Sequence, residues 1–240
     1  MSTDKIQIGD MEIDVVRKDI KNIHLAVYPP TGRVRIAAPK RMADDSIRLF
    51  AISRLSWIRK QQRKFESQRR ETPRLYVSGE SHYFQGNRYR LDVVEHGGHN
   101  KVILRGKKYL VLYVKHGSTR DQREHALWEW YRRELKALVP DLIAKWENVI
   151  GVQAWDWGIK HMRTKWGTCN TTARRIWLNL ELAKKPVICL EYIIAHELVH
   201  LLERSHNDRF VALMDQVMPN WRLNRDLLNS LPVSHGDWEY

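Results

Sequence analysis

Pro186-Val-Ile-Cys-Leu-Glu-Tyr-Ile-Ile-Ala-His-Glu-Leu-Val-His-Leu-Leu-Glu-Arg-Ser-His206 is an apolar run that carries His196-Glu197-x-x-His200 near its end and a third histidine six residues later. Pro186 suits a first helical turn, and Ile188, Ile193, Ile194, Leu198, Val199, Leu201 and Leu202 are dense enough to bury a helix predicted over about 186–203. Four residues advance an α-helix by about 400° and roughly 6 Å, so His196 and His200 project one turn apart from one face and can reach one ion. Glu197 lies about 100° round from His196, outside the ligand arc but within reach of a water beside the metal, whose proton a carboxylate can take. Two histidines and a glutamate in an apolar helix are costly to bury, and coordination of zinc is the compensation that fits their spacing.

The third ligand is open. His206 lies ten residues after His196, too far along a straight helix to meet the same ion, so its use requires the chain to turn after about Arg204, where Ser205 can start the turn. The spacing equals that of the metzincin signature, with Glu203 in place of its glycine. Glu203 and Asp208 are rivals, although Glu203 sits roughly 10 Å along the axis from His196. His206 is preferred. Asn207 or Asp208 can cap a following helix.

Working outward, the period of the pattern changes twice. Glu12–Val16, His24–Tyr28 and Val34–Ala37 read as strands of a small antiparallel sheet, with Pro29-Pro-Thr-Gly32 as a turn. Ile47, Phe50, Ala51, Leu55 and Ile58 then mark one amphipathic helix, and residues 75–115 return to strands. From Ser118 the period is helical to about Ile150, with Pro140 expected to kink or divide the helix. Strands are predicted at Ala154–Thr164 and from Arg175 to Leu182, and closing helices at about 207–218 and 221–231. The fold class is α+β: a β-rich amino-terminal region over 1–117 and a compact metal-binding domain over 118–240. No internal repeat or low-complexity segment is evident.

Lys and Arg number 41 against 28 acidic residues in 240, a formal charge of +13 that suits polyanionic partners, nucleic acid among them. The basic pairs, such as Arg59-Lys60 and Arg174-Arg175, are scattered rather than gathered. Two cysteines, Cys169 and Cys189, make no disulfide framework, and Cys169 reads as a small buried group near the site. The start of the chain has no apolar signal core and no run of about eighteen apolar residues occurs, so a cytoplasmic protein with no membrane association is expected.

Arg163-Thr-Lys-Trp-Gly-Thr-Cys169, Ile176-Trp-Leu-Asn179, the histidine segment and Asn207-Asp-Arg-Phe210 together resemble the YgjP-like family of predicted zinc metallopeptidases. Arg33-Val-Arg-Ile-Ala-Ala-Pro39 and Trp57-Ile-Arg-Lys-Gln61 are similar to that family's amino-terminal region. The family usually has Trp-Gly-Ser-Cys where this chain has Trp166-Gly-Thr-Cys169. The resemblance implies one zinc ion held by His196, His200 and His206, with Glu197 as the catalytic base, in a zincin-like domain related to the SprT-like and gluzincin-like peptidases. It also implies an alternative, metal-dependent pyrophosphatase action on a nucleotide such as UTP, and association with restriction-modification systems.

A strand beside the metal, expected at Trp157–Lys165, would pair with an extended peptide. Arg163 and Lys165 at its end could stabilise an oxyanion or hold a phosphate, Arg163 being the first choice, and His161 or Tyr192 could do similar work. A nucleic-acid-binding module with a structural zinc is the reading from another class. An open coordination position with an adjacent glutamate argues against it.

Overall fold

The computed structural model describes residues 3–28, 31–67, 73–162 and 165–232. The chain divides into two compact units at residues 69/70.

In the first unit, strands β1 (Thr3–Ile8), β2 (Met11–Lys18), β3 (His24–Tyr28) and β4 (Arg33–Pro39) form a sheet of order β1-β2-β4-β3. The sheet is mixed, not antiparallel as expected: β4 turns back from β3 and inserts beside β2, which it meets in parallel register. Alternation along β2 and β4 turns Ile13, Val15, Val34, Ile36 and Ala38 inward, where Ile47, Ala51 and Ile58 meet them. The single helix predicted here is two, α1 (Asp44–Ser53) and α2 (Leu55–Ser67), because Arg54 leaves helical angles at φ −108° and ψ 3°. The break lets both segments contribute to one small core.

The second unit opens with β5 (Ser81–Phe84), β6 (Asn87–Glu95), β7 (Lys101–Arg105) and β8 (Tyr109–Val114), in the order β5-β6-β8-β7. The outer pairs are antiparallel and the central pair parallel. This repeats the topology of the first sheet. The sequence shows no repeat because strand order is set by alternation and turn placement, which many residues satisfy.

Helix α3 (Arg120–Ile150) starts at a capping box between Thr119 and Gln122 and ends at Gly151, whose φ of 75° suits a residue without Cβ. It runs through Pro140 undivided. Pro140 is on the exposed side, where the carbonyl it leaves without an N–H partner can be hydrated. Leu127, Trp130 and Tyr131 of α3 share one core with Leu91, Leu110 and Leu112 of the sheet. The expected boundary at 117 therefore does not hold, since it would split a continuous apolar core.

Three further strands, β9 (Asp156–Lys160), β10 (Gly167–Asn170) and β11 (Arg175–Asn179), form a sheet of order β10-β11-β9, β11 being antiparallel to β10 and parallel to β9. A 3-10 turn (Leu180–Lys184) leads to α4 (Val187–Val199), followed by α5 (Asp208–Val217) and α6 (Trp221–Ser230). The tip of the β5–β6 hairpin holds the start of α4. Gly86, at φ 81°, lies so close to Pro186 that a Cβ would come within 2.7 Å of its ring, and its N–H bonds to the Lys184 carbonyl at 3.1 Å. No described helix is long and apolar enough to cross a membrane.

Candidate metal centre

Helix α4 is buried along most of its length, with Leu190, Ile193, Ile194, Leu198 and Val199 in the core, and this fixes the face on which His196, Glu197 and His200 emerge. The helix stops at Val199, four residues before its predicted end. Its last amides tighten onto Leu198 and Val199, and the His200 ring is tied through Nδ1 to the Glu203 carbonyl at 3.0 Å. That bond leaves Nε2 of His200 as the free ring nitrogen. The Glu203 carboxylate accepts the Ser205 N–H at 3.1 Å and shapes the turn that returns the chain. Asn207 caps α5 by accepting from the Phe210 N–H at 3.0 Å.

The result is a cluster of three imidazoles. One nitrogen from each of His196, His200 and His206 lies within 4.8 Å of the others, and neither Glu203 nor Asp208 belongs to the group. The Nε2 atoms of His196 and His206 face each other at 2.9 Å. Phe210 packs on all three rings at centroid distances of 4.7–4.9 Å. Burial, together with repulsion from His200 and His206, pushes the His196 imidazolium down to about 3, so the ring is neutral near pH 7. Burial also lowers the pKa of His200. Two ring nitrogens this close need a proton or cation between them, so the donor set fits a divalent metal that accepts nitrogen ligands. Nδ1 of His196 is buried without a protein partner among the described residues, so of the two helix histidines only His200 shows the outer hydrogen bond that commonly orients a ligand.

Glu197 is 5 % exposed. Its carboxylate lies against the backbone of Gly167 in β10, where a Cβ would fall 2.6 Å from Oε1 and 2.8 Å from Cγ. Burial raises its pKa to about 8, against the pull of the Lys165 charge. The histidines and Glu197 line a cleft of about 870 Å³ with β10 along one wall and Tyr192, Arg204 and Arg225 around it. The strand bordering this cleft is β10 and not the predicted Trp157–Lys165 segment, whose strand ends at Lys160. Among the described residues β10 pairs with β11 alone, leaving one edge of its backbone without a strand partner there.

The other candidates part company. Lys165 and Tyr192 line the cleft, and Tyr192 is a neutral phenol whose pKa burial pushes up to about 12. His161 instead packs at a tilt against Trp128, with ring centres 4.4 Å apart, and lies 3.6 Å from buried Glu181. Arg163 lies outside the described residues. Cys169 lines the cleft as a protonated thiol, its pKa pushed up to about 11 by burial, and is not in the histidine group. Asn179 is a residue that motif reasoning quoted without a role. Its side chain donates to the Met162 and Lys165 carbonyls, both at 2.7 Å, and accepts the Met162 N–H at 3.3 Å, clamping the approach to β10. Gly167, Arg204 and Arg225 carry no periodic signal; Gly167 and Arg204 sit inside quoted motifs without a role, and Arg225 sits in none.

A family profile described as YgjP-like, metallopeptidase domain, matches residues 21–231. The chain belongs to the YgjP-like family. Membership in this metallopeptidase family implies a metal cofactor, typically zinc, and a peptide substrate. The YgjP-like chain is also similar to the crystal structure of the metallopeptidase zymogen of Pyrococcus abyssi abylysin, with 21 % identity over 38 % of this chain and 90 % of that one and a TM-score of 0.36. A comparison with curated proteins gives no match.

Proposed function

We propose that this YgjP-like protein is a zinc-dependent peptidase in which His196, His200 and His206 hold one zinc ion and Glu197 is the general base. The observation that carries this reading is the meeting of three imidazoles from a helix and the turn beyond it, at the edge of a cleft that also receives Glu197. Bound zinc supplies Lewis acidity, which can lower the pKa of a water from about 15.7 to about 7 and polarise a carbonyl. Beside a divalent cation the burial that raises the Glu197 pKa is offset and the carboxylate form favoured, in which Glu197 takes the proton of the attacking water and returns it to the departing nitrogen. The C–N bond breaks, the acyl carbon gains the hydroxyl, and the amine leaves with the proton. β10 offers its open edge to an extended peptide, and Tyr192 or Lys165 can donate to the oxyanion.

The test is a comparison of wild type with Glu197→Gln, each assayed for bound metal and for hydrolysis of an unfolded protein. The variant is expected to keep its zinc and lose about 10²–10⁴-fold in rate. Equal rates would overturn the reading. A nucleotide substrate is the second reading, favoured by the cations that line the cleft.

A further inference from the structure

The charge lining the cleft is one-sided. Among the described residues, Glu197 is its only acid, while Lys165 below β10, Arg204 in the turn after α4 and Arg225 on α6 are cations. Arg225 is held in place: its guanidinium carbon lies 5.1 Å from the Trp221 ring centre, and its Nε donates to Asp226 at 3.0 Å. Trp221 is fixed in turn by its bond to Asp215 at 2.7 Å and by stacking on Tyr192, with ring planes 11° apart. The terminal nitrogens of Arg225 and the side chains of Lys165 and Arg204 have no acceptor among the described residues. Asp226 offsets part of the Arg225 charge, but it is exposed and outside the cleft lining.

A concave site lined by one sign of charge concentrates ligands of the opposite sign. Two groups of anions fit that field, acidic peptides and phosphates. The cations are spread over three elements around the cleft, rather than gathered on one loop as in a phosphate cradle. One wall of the same cleft is β10, whose outer edge has no strand partner among the described residues and whose backbone groups match an extended polypeptide. Resting on the peptidase reading above, we infer that the enzyme cleaves polypeptides beside acidic residues, with Arg225 and Arg204 receiving the Asp or Glu side chain. Arg225 packs on Trp221, which stacks on Tyr192 one helical turn before His196, and Arg204 lies in the turn between His200 and His206, so both line the cleft that holds the three histidines.

The experiment uses the metal-loaded full chain and three quenched fluorescent peptides differing only in Glu, Gln or Lys beside the cleaved bond. The Glu peptide is expected to exceed the Gln peptide about tenfold in kcat/KM, mainly through KM, with the gap narrowing at high salt. Arg225→Glu should reverse the order of the Glu and Lys peptides, and Arg204→Glu provides the same test on a separate element if the first variant does not fold. Equal cleavage of all three peptides overturns this inference and leaves the peptidase standing. Glu197-dependent hydrolysis of nucleoside triphosphates with no peptide cleaved overturns both, as does hydrolysis of neither class.

Discussion

A methyl group added at Gly167 would come 2.6 Å from Oε1 and 2.9 Å from Cδ of Glu197. In Gly167→Ala the buried carboxylate must move, at a cost of about 1–3 kcal/mol, and a displacement near 1 Å at a reacting group lowers rates about a hundredfold. Metal content should be unchanged, so activity and zinc measured on one preparation separate this effect from loss of the ion. His206→Ala addresses the opposite case and should strongly reduce bound zinc. Zinc retained at wild-type level would show that another group completes the site. The meeting of His196 and His200 was legible because helical geometry turns a four-residue spacing into a shared face, and the place of Glu197 because it lies one residue, about 100°, round from His196. His206 was legible only as one of three rivals, since its position depends on a turn built by the Glu203 carbonyl and carboxylate. Arg225 was beyond reach, because nothing in α6 marks which of its charged residues meets the cleft.

At the scale of elements, the wall of the cleft depends on Asn179. Asn179→Ala removes three part-buried hydrogen bonds to Met162 and Lys165, an expected loss of about 1–2 kcal/mol in urea unfolding. If the clamp also sets β10, KM for peptides should rise even in protein that remains folded. Helices α3 to α6 were readable from their period, and α5 also from its Asn207 cap. β10 was not: Gly167 and Asn170 disfavour a strand at both ends of a four-residue segment, and it is pairing with β11 that makes it one. The early end of α4 was equally hidden, because the apolar pattern continues through Leu201 and Leu202 while the backbone has already turned.

For the molecule as a whole, two solution measurements follow. A ligand that binds only the folded state stabilises it, so chelation should lower Tm by about 5–10 °C relative to protein with zinc about a hundredfold above its Kd. Glu181 governs part of the acid response. Burial by itself would raise its pKa, but Lys184 at 2.9 Å and His161 outweigh burial and hold it down to about 2. A carboxylate depressed in the folded state adds stability above its ordinary value near 4.5 and loses it as pH falls towards 2, here about 3 kcal/mol. Glu181→Gln should therefore flatten the fall in stability across that window in acid titration. The mixed class of the fold was visible in the sequence, but the division near residue 70 was not, because strand patterns on either side look alike. That likeness reaches further than the boundary. A chain that builds the same four-stranded arrangement twice in succession gives each nascent strand two plausible partners during folding. Misassembly between units is a recognised hazard of such chains. Refolding yield should then fall as protein concentration rises, and synthesis from the amino terminus, which lets the first sheet close before the second emerges, would be the ordinary safeguard.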